Sequence, residues 1–288
     1  MTGDGRGGAT TPAQERVLEE VLGWGRPRPA VPPELLMRLR AQLEAAVVGQ
    51  RPDPVPATLH LAAVLRGGAA RSRPWRHDRD TVRGILLGRV FARDVERGHT
   101  VPPDTVVAEV AAELAAERPG DPASASAWLN AAGAAGRGEL QREVVGVLSD
   151  VRTLWPALDR DRLVVQVRPT LRVEVAPGPT VITFQPDLVL DSPRTDERAR
   201  SLVIVTRTGM PRPREDRDRA RATALMTALA TRRVPFRWVV LHLTDGRAEV
   251  EELDAGVLSD TARWVGERVA SLTGGGSTDT SARSEGQR

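Results

Sequence analysis

Cysteine, tyrosine and lysine are all absent from this chain of 288 residues. Without cysteine the protein has no disulfide bonds, no thiolate ligands for a metal and no cysteine nucleophile. Without lysine it has no glycine-rich phosphate loop of the type that ends in Lys. All 41 basic residues are therefore arginine, and the abundance of Arg, Ala, Gly and Pro is typical of a GC-rich bacterial genome.

Long apolar runs are also missing from the sequence. None is long enough to span a bilayer, and residues 1–15 lack the charged start and apolar stretch of a signal peptide. We therefore expect a cytoplasmic protein with no membrane partner. The formal net charge is only +3, so the high isoelectric point reflects the chemistry of arginine and does not by itself indicate a nucleic-acid partner.

Two common catalytic patterns are absent as well. The chain contains neither the Gly-x-Ser-x-Gly elbow of serine hydrolases nor the histidine pair of zinc proteases. Its four histidines, His60, His77, His99 and His242, show no metal-ligand spacing. We expect each of them to have a structural or surface role.

The composition divides the chain into four parts. Residues 1–33 are rich in Gly and Pro and are predicted to be a flexible arm with a short helix from residue 14 to residue 24. Residues 34–139 are predicted to be a helical region that packs on the core, and residues 140–273 are predicted to form that core. The small polar residues at 274–288 predict a disordered tail.

Apolar residues recur at helical spacing over residues 35–48, 81–97 and 105–117, and Asp104 is placed to cap the third of these helices. A longer helix is predicted over residues 140–155, where Pro156 stops it.

From residue 161 the period changes to that of β-strands. The predicted strands are "RLVVQV", "TLRVEV", "TVITFQPDLVL", "SLVIVT", "PFRWVVLHL" and "RAEVEEL", with helices at 214–231 and 258–272. This order predicts an α/β fold in which a mixed β-sheet is flanked by helices and preceded by an N-terminal helical region.

The stretches "FQPDLVL" and "VIVTRTG" resemble the two strands that carry the active site of the PD-(D/E)XK nuclease superfamily, specifically its RecB-like branch. The stretch "TVRGILLGRVFARDVE" is similar to the helix that carries a histidine in those proteins, and residues 213–253 are similar to the helix and strands that follow their catalytic lysine. The resemblance covers roughly residues 55–272, and it implies a restriction-endonuclease-like core with the ancestry of a hydrolase.

Position by position, the resemblance implies that Asp187 is a metal ligand and that Arg207 replaces the catalytic lysine. The second acid of the family falls on Val205, the histidine on Gly88 and the helix tyrosine on Thr223. Hydrolysis of a phosphodiester needs a metal ion held by carboxylates, and one carboxylate is rarely enough. The substitutions therefore predict a catalytically weak or inactive site.

Other roles are open for the same residues. Glu143, on the preceding helix, is the substitute metal ligand that the sequence offers, and an active site would use Mg²⁺ or Mn²⁺ whereas an inactive one needs no cofactor. Alternatively, Asp187 is a structural carboxylate paired with Arg207 or with Arg168, because a buried acid must be paired.

Arginine is concentrated in two segments. Residues 66–97 hold nine Arg against four acidic residues, and residues 207–237 hold nine Arg against three. The resemblance implies that these segments flank a cleft, where Arg83, Arg89, Arg212 and Arg214 would contact phosphates. Trp75, within "RSRPWRHDR", is a candidate for base stacking. The alternative is an ordinary solvated, arginine-rich surface.

Three functions follow from these observations. The first is an inactive RecB-like protein, a pseudoenzyme, that retains nucleic-acid binding in an arginine-lined cleft. The second is an active metal-dependent DNA nuclease with a relocated acid such as Glu143. The third is a protein–protein interaction module that does not bind DNA. The partner is DNA in the first two cases and another protein in the third.

Overall fold

The structure is a computed structural model, and it describes residues 10–23, 28, 30–48, 57–67, 77–117, 124–158, 163–175, 180–191 and 201–274. The predicted tail beyond residue 274 and the base-stacking candidate Trp75 lie outside these residues.

The described part of the chain contains α-helices in both halves, and a π-helical segment, Val17–Val21, continues the first of them. The helices are α1 (Pro12–Arg16), α2 (Leu35–Val48), α3 (Leu61–Arg66), α4 (Arg79–Glu96), α5 (Pro103–Ala116), α6 (Ala125–Ala131), α7 (Gly133–Leu154), α8 (Pro213–Thr231) and α9 (Ala255–Gly274).

The strands form two sheets. They are β1 (Ala57–His60), β2 (Val164–Val167), β3 (Leu171–Val175), β4 (Thr180–Phe184), β5 (Leu188–Asp191), β6 (Ser201–Arg207), β7 (Pro235–His242) and β8 (Ala248–Glu252). The larger sheet has the order β2-β5-β6-β7-β8, with β6 and β7 parallel and the other neighbours antiparallel. The smaller sheet has the order β1-β4-β3. The fold is thus α/β with mixed sheets, helices on their faces and an N-terminal helical region.

Strand β6 separates two hydrophobic cores because successive side chains of a strand point to opposite faces. Ile204 packs with the apolar residues of α4, α5 and α7 in the first core. Val203 and Val205 pack with residues of α2, α8 and α9 in the second. Six of the seven β6 residues are buried, which explains why this strand reads as a continuous apolar run.

The stretch "TVITFQPDLVL", predicted as one strand, is two strands in different sheets. β4 ends at Phe184 and β5 begins at Leu188, because Pro186 between them has no N–H to continue a ladder. Asp187 therefore lies at the junction of the two sheets and not in the middle of a strand. In the smaller sheet, β3 and β4 are antiparallel, and Glu174 pairs with Val181.

The N-terminal half departs from the prediction in two places. β1 adds a strand to the predicted helical region and pairs in parallel with β4; four residues are too few to show a clear period in the sequence. The short helix of the arm begins at Pro12, and its segment packs on the core: the Gln14 Nε2 group donates to the Arg152 carbonyl at 3.0 Å, and Leu22 is buried. These residues are therefore not a free arm.

The starts of two helices, α5 and α7, differ from the prediction in ways that their sequences explain. Pro102, and not Asp104, occupies the N-cap of α5; Asp104 lies in the first turn and accepts a hydrogen bond from the Thr105 N–H at 2.8 Å, where its charge still favours the helix dipole. α7 begins at Gly133, seven residues before the predicted start, because its first two turns are rich in Ala and Gly and carry no apolar period.

Candidate functional site

Asp187 lies where the two sheets meet, directly before β5. The antiparallel register of β5 and β6 pairs Leu188 with Ile204, and its continuation by one residue places Asp187 opposite Val205. The Asp187 Oδ2 atom accepts a hydrogen bond from the Thr206 N–H at 2.7 Å. The side chain is 19% exposed. The carboxylate is therefore held by the backbone of β6.

Arg219 of α8 supplies the positive charge nearest to this carboxylate. Its Nη2 atom lies 3.9 Å from Asp187 Oδ2. The prediction that Asp187 pairs with Arg207 is wrong, because Arg207 pairs with Asp216. Arg168 contacts Asp187 through the backbone and not through the expected ion pair. The Arg168 N–H donates to the Asp187 carbonyl at 2.9 Å, while its guanidinium donates to Gln185 at 2.9 Å.

Arg207, the last residue of β6, pairs with an acid in the first turn of α8 and not with Asp187. Its Nε atom lies 2.7 Å from Asp216 Oδ1, and Asp216 is buried. The second oxygen of Asp216 accepts the Arg212 N–H at 2.7 Å. The guanidinium predicted to act in catalysis thus joins β6 to α8 through a buried ion pair.

A small pocket opens beside Asp187, between α3, α8 and the ends of β4 and β6. Its volume is about 90 Å³, well below the ~300–1,000 Å³ of typical small-molecule sites. Its polar side chains are those of His60, Gln185, Asp187, Arg219 and Thr223, and its apolar walls include Leu61, Leu65, Phe184, Pro186 and Val205.

Three of the five positions implied by the resemblance meet at this pocket, namely Asp187, Val205 and Thr223. Gly88 does not: a Cβ atom at this residue of α4 would meet Thr206 Oγ1 at 3.8 Å, and Thr206 points to the face of β6 opposite to Val205. The pocket therefore contains one carboxylate, and valine occupies the position of a second.

Glu143 does not line this pocket. One of its oxygens lies 2.9 Å from Arg79 Nη2, and the other is paired with Arg83. Within the described residues no three His, Cys, Asp or Glu side chains are grouped to hold a metal ion. The substitute ligand suggested by the sequence is engaged in holding α4 against α7.

The arginines of α4 form a series of ion pairs with the acids of α5 and α7. Arg83 pairs with Glu143 and Arg89 with Glu117, so two of the predicted phosphate contacts already have carboxylate partners. The series continues with Arg93–Glu113 at 3.1 Å and Arg97–Glu109 at 2.7 Å. The composition of residues 66–97 does not reveal these ion pairs, because the acidic partners lie outside that segment.

The arginines at the start of α8 are more open. Arg212 pairs with Glu215 at 3.1 Å, but both side chains are more than 60% exposed. Arg214 and Arg217 are exposed, and neither makes a hydrogen bond or ion pair with another described residue. Met210, next to them, is 82% exposed. This end of α8 therefore exposes three arginines together with two acidic residues.

The sequence did not indicate three polar residues of the pocket, namely Gln185, Arg219 and His60. Arg219 precedes Thr223 by four residues and so shares its face of α8, a spacing that would have placed it beside the pocket. His60 is the N-cap of α3, and its Nδ1 atom accepts the Ala62 N–H at 3.2 Å. Since Nδ1 is an acceptor, the proton of the neutral ring is on Nε2.

No protein-family model matches this chain, and no curated protein matches it. Among solved structures, the crystal structure of SSO0001 is similar over 80% of this chain and 83% of its own, with 13% sequence identity and a TM-score of 0.27. Any function must therefore be inferred from the geometry of the site itself. In the described part of the chain, no helix has the length and apolar character needed to cross a membrane.

Proposed function

We propose that this protein is a RecB-like member of the PD-(D/E)XK nuclease superfamily that does not hydrolyse phosphodiesters and binds nucleic acid beside the Asp187 pocket. One observation carries the proposal: Asp187 faces an arginine and a valine, where a nuclease of this kind needs a metal ion and a second acid.

The lack of hydrolysis follows from the charges at the pocket. A Mg²⁺ ion takes six oxygen ligands, of which carboxylates, substrate phosphates and water each supply a part. Arg219 already provides a positive charge to Asp187, and a metal ion at the same carboxylate would be repelled by it. Val205 is buried and offers no ligand.

The binding of nucleic acid rests on the start of α8. Arg212, Arg214 and Arg217 are exposed near the amino end of this helix, whose dipole adds to their positive charge. Arg219, on the same helix, is 42% exposed at the pocket. Such a group can neutralise phosphates without a metal. Its binding weakens at high salt, because the release of counterions from the nucleic acid is then less favourable.

Incubation with labelled single- and double-stranded DNA in Mg²⁺ or Mn²⁺ tests the proposal. We expect both oligonucleotides to remain intact with the parent protein and with Asp187→Ala, while the parent binds in a salt-sensitive manner. Cleavage by the parent that Asp187→Ala abolishes would show that Asp187 still organises a metal ion.

The paired arginines of α4 favour a second candidate, a protein–protein interaction module. Because Arg83, Arg89, Arg93 and Arg97 already have acidic partners, the positive charge of this helix is largely neutralised. If the parent protein binds no oligonucleotide even at low salt, that result would support this candidate.

A further inference from the structure

Two arginines meet where the N-terminal segment, residues 10–23 and 28, packs on the start of β7. The central carbon of the Arg28 guanidinium lies 3.5 Å from the ring centroid of Phe236, and that of Arg237 lies 5.5 Å from the same centroid. A Cβ atom at Gly23 would lie 3.1 Å from Arg237 Nη1 and 3.3 Å from Arg28 Nη1. The two guanidinium groups are therefore neighbours, although both are cations.

Arg237 is 2% exposed, and one edge of its guanidinium is only partly used. Its Nη1 atom donates to the carbonyls of Glu20 and Val21 at 2.8 and 2.9 Å, which fastens the N-terminal segment to β7. Its Nη2 atom donates to Glu252 Oε1 at 3.0 Å, whereas Nε is buried and has no hydrogen-bond partner. Arginine binds an oxyanion most strongly through two parallel N–H groups. Glu252 receives only one of them.

Arg28 contributes a second buried donor to the same place. Its Nη1 atom is buried without a hydrogen-bond partner, and no carboxylate among the described residues forms an ion pair with it. Burial lowers the pKa of Arg28 from its ordinary value, and the charge of Arg237 lowers it further. Charges that leave water are normally paired. Of the two guanidinium groups only Arg237 has a carboxylate partner, so one positive charge lacks compensation.

We propose that a phosphate group binds between Arg28 and Arg237 in place of the Glu252 carboxylate. Such a group carries about −1.5 to −2 charges at neutral pH and offers at least three acceptor oxygens. It can therefore compensate both arginines and accept from Arg237 Nε, Arg237 Nη2 and Arg28 Nη1. Glu252 is 73% exposed, so its side chain can turn toward solvent, and the ligand reaches Arg237 from that side.

This site is separate from the proposed nucleic-acid surface. Arg237 is near the amino end of β7, whereas Val205 of the Asp187 pocket is near the carboxyl end of the parallel strand β6. A phosphate bound by Arg28 and Arg237 would join the N-terminal segment to the sheet. The ligand would therefore control how firmly this segment is held.

Isothermal titration calorimetry with inorganic phosphate at pH 7.5 and constant ionic strength tests the assignment. We expect the parent to bind one phosphate per chain and to bind acetate, a carboxylate with a single charge, more weakly. Arg28→Gln should weaken phosphate binding about tenfold, in line with the loss of a charge-assisted hydrogen bond. Glu252→Gln should strengthen it, because the competing carboxylate is removed. Arg263→Gln makes the same change as Arg28→Gln at an exposed arginine of α9 and should leave the affinity unchanged.

Limited digestion with trypsin gives a second readout, because the ligand joins the N-terminal segment to β7. Arg16 is exposed, and cleavage after it should slow in phosphate for the parent and not for Arg28→Gln. Comparison of these two proteins removes the general stabilisation that phosphate gives to folded proteins. Thermal unfolding without phosphate checks that each variant is folded.

The outcomes separate a built site from nonspecific binding. Weaker binding by Arg28→Gln and stronger binding by Glu252→Gln support the site. Binding of glycerol phosphate as well would identify a phosphate ester as the ligand, and binding of inorganic phosphate alone would identify the ion; either supports the site. No phosphate binding by the parent, or the same affinity in Arg28→Gln, overturns it. An equal loss in Arg263→Gln also overturns it. None of these results bears on nucleic-acid binding by α8.

Discussion

Helices α4 and α8 come from segments with the same number of arginines, yet they use them in different ways. On α4 the arginines form ion pairs with acids of α5 and α7 and hold three helices together. On α8 the arginines at the first turns remain exposed, and Arg219 faces the pocket. Local arginine density therefore does not predict a basic surface, because the acidic partners are supplied by elements distant in sequence.

The structural role of the α4 charges is clearest at its C-terminal end. Asp94 is completely buried, and its carboxylate is bound by Arg152 and by His99 Nδ1, the latter at 2.6 Å. The second ring nitrogen of His99 lies 3.3 Å from the Pro156 carbonyl. Each ring nitrogen of His99 therefore faces an acceptor, one the carboxylate and the other the carbonyl.

Removal of Arg152 should therefore have the largest effect on stability. Arg152→Ala leaves the buried Asp94 without its arginine partner, and breaking a buried pair typically costs about 3–5 kcal/mol. The matched variant Arg212→Ala, in the exposed pair of α8, should cost at most about 1 kcal/mol. Chemical denaturation measures both; equal losses would remove the structural distinction between the two helices.

The loss of folding stability at low pH should depend on Asp94. Burial alone would raise the pKa of this carboxyl group, but hydrogen bonds from His99 and Arg152 outweigh it and hold the pKa below its ordinary value. The unfolded chain thus binds a proton first, so the stabilisation is complete above the unfolded pKa of about 3.9 and is lost as the pH falls through the lower folded value.

Asp94→Asn tests this dependence, because it removes the titrating group while keeping the shape of the side chain. We expect the variant to be less stable at pH 7 and to lose less stability than the parent between pH 5 and pH 2. Parallel curves for the two proteins would show that Asp94 does not contribute to the pH dependence.

Much of the fold was predictable from periodicity. The bounds of α2, α4, α5 and α8 lie within two residues of the predicted ones, and β6 and β7 are where their apolar runs indicated. Pro186 is a signal for the end of a strand. The apolar residues on both sides of it nevertheless gave the pattern of one continuous strand, so the change of sheet was not predicted. β1 is defined by its pairing with β4, which has no local signal.

The site was less predictable than the fold, for a physical reason. The position of Asp187 opposite Val205 follows from strand register, which the sequence pattern carries. The partners of long side chains do not: Arg207 reaches Asp216, Arg83 reaches Glu143, and Arg219 approaches Asp187. Several acids lie within reach of each guanidinium, and only the packing of helices on the sheet selects among them.

The salt dependence of single-stranded DNA binding by two double variants shows which of the two helices contacts phosphates. Arg214→Ala with Arg217→Ala should weaken binding and lower the slope of log Kd against log salt by about 1.4, since each lost phosphate contact contributes about 0.7 on single strands. Arg83→Ala with Arg89→Ala should leave the slope unchanged. If the α4 variant loses binding and the α8 variant keeps it, the exposed arginines of α8 are not the phosphate contacts.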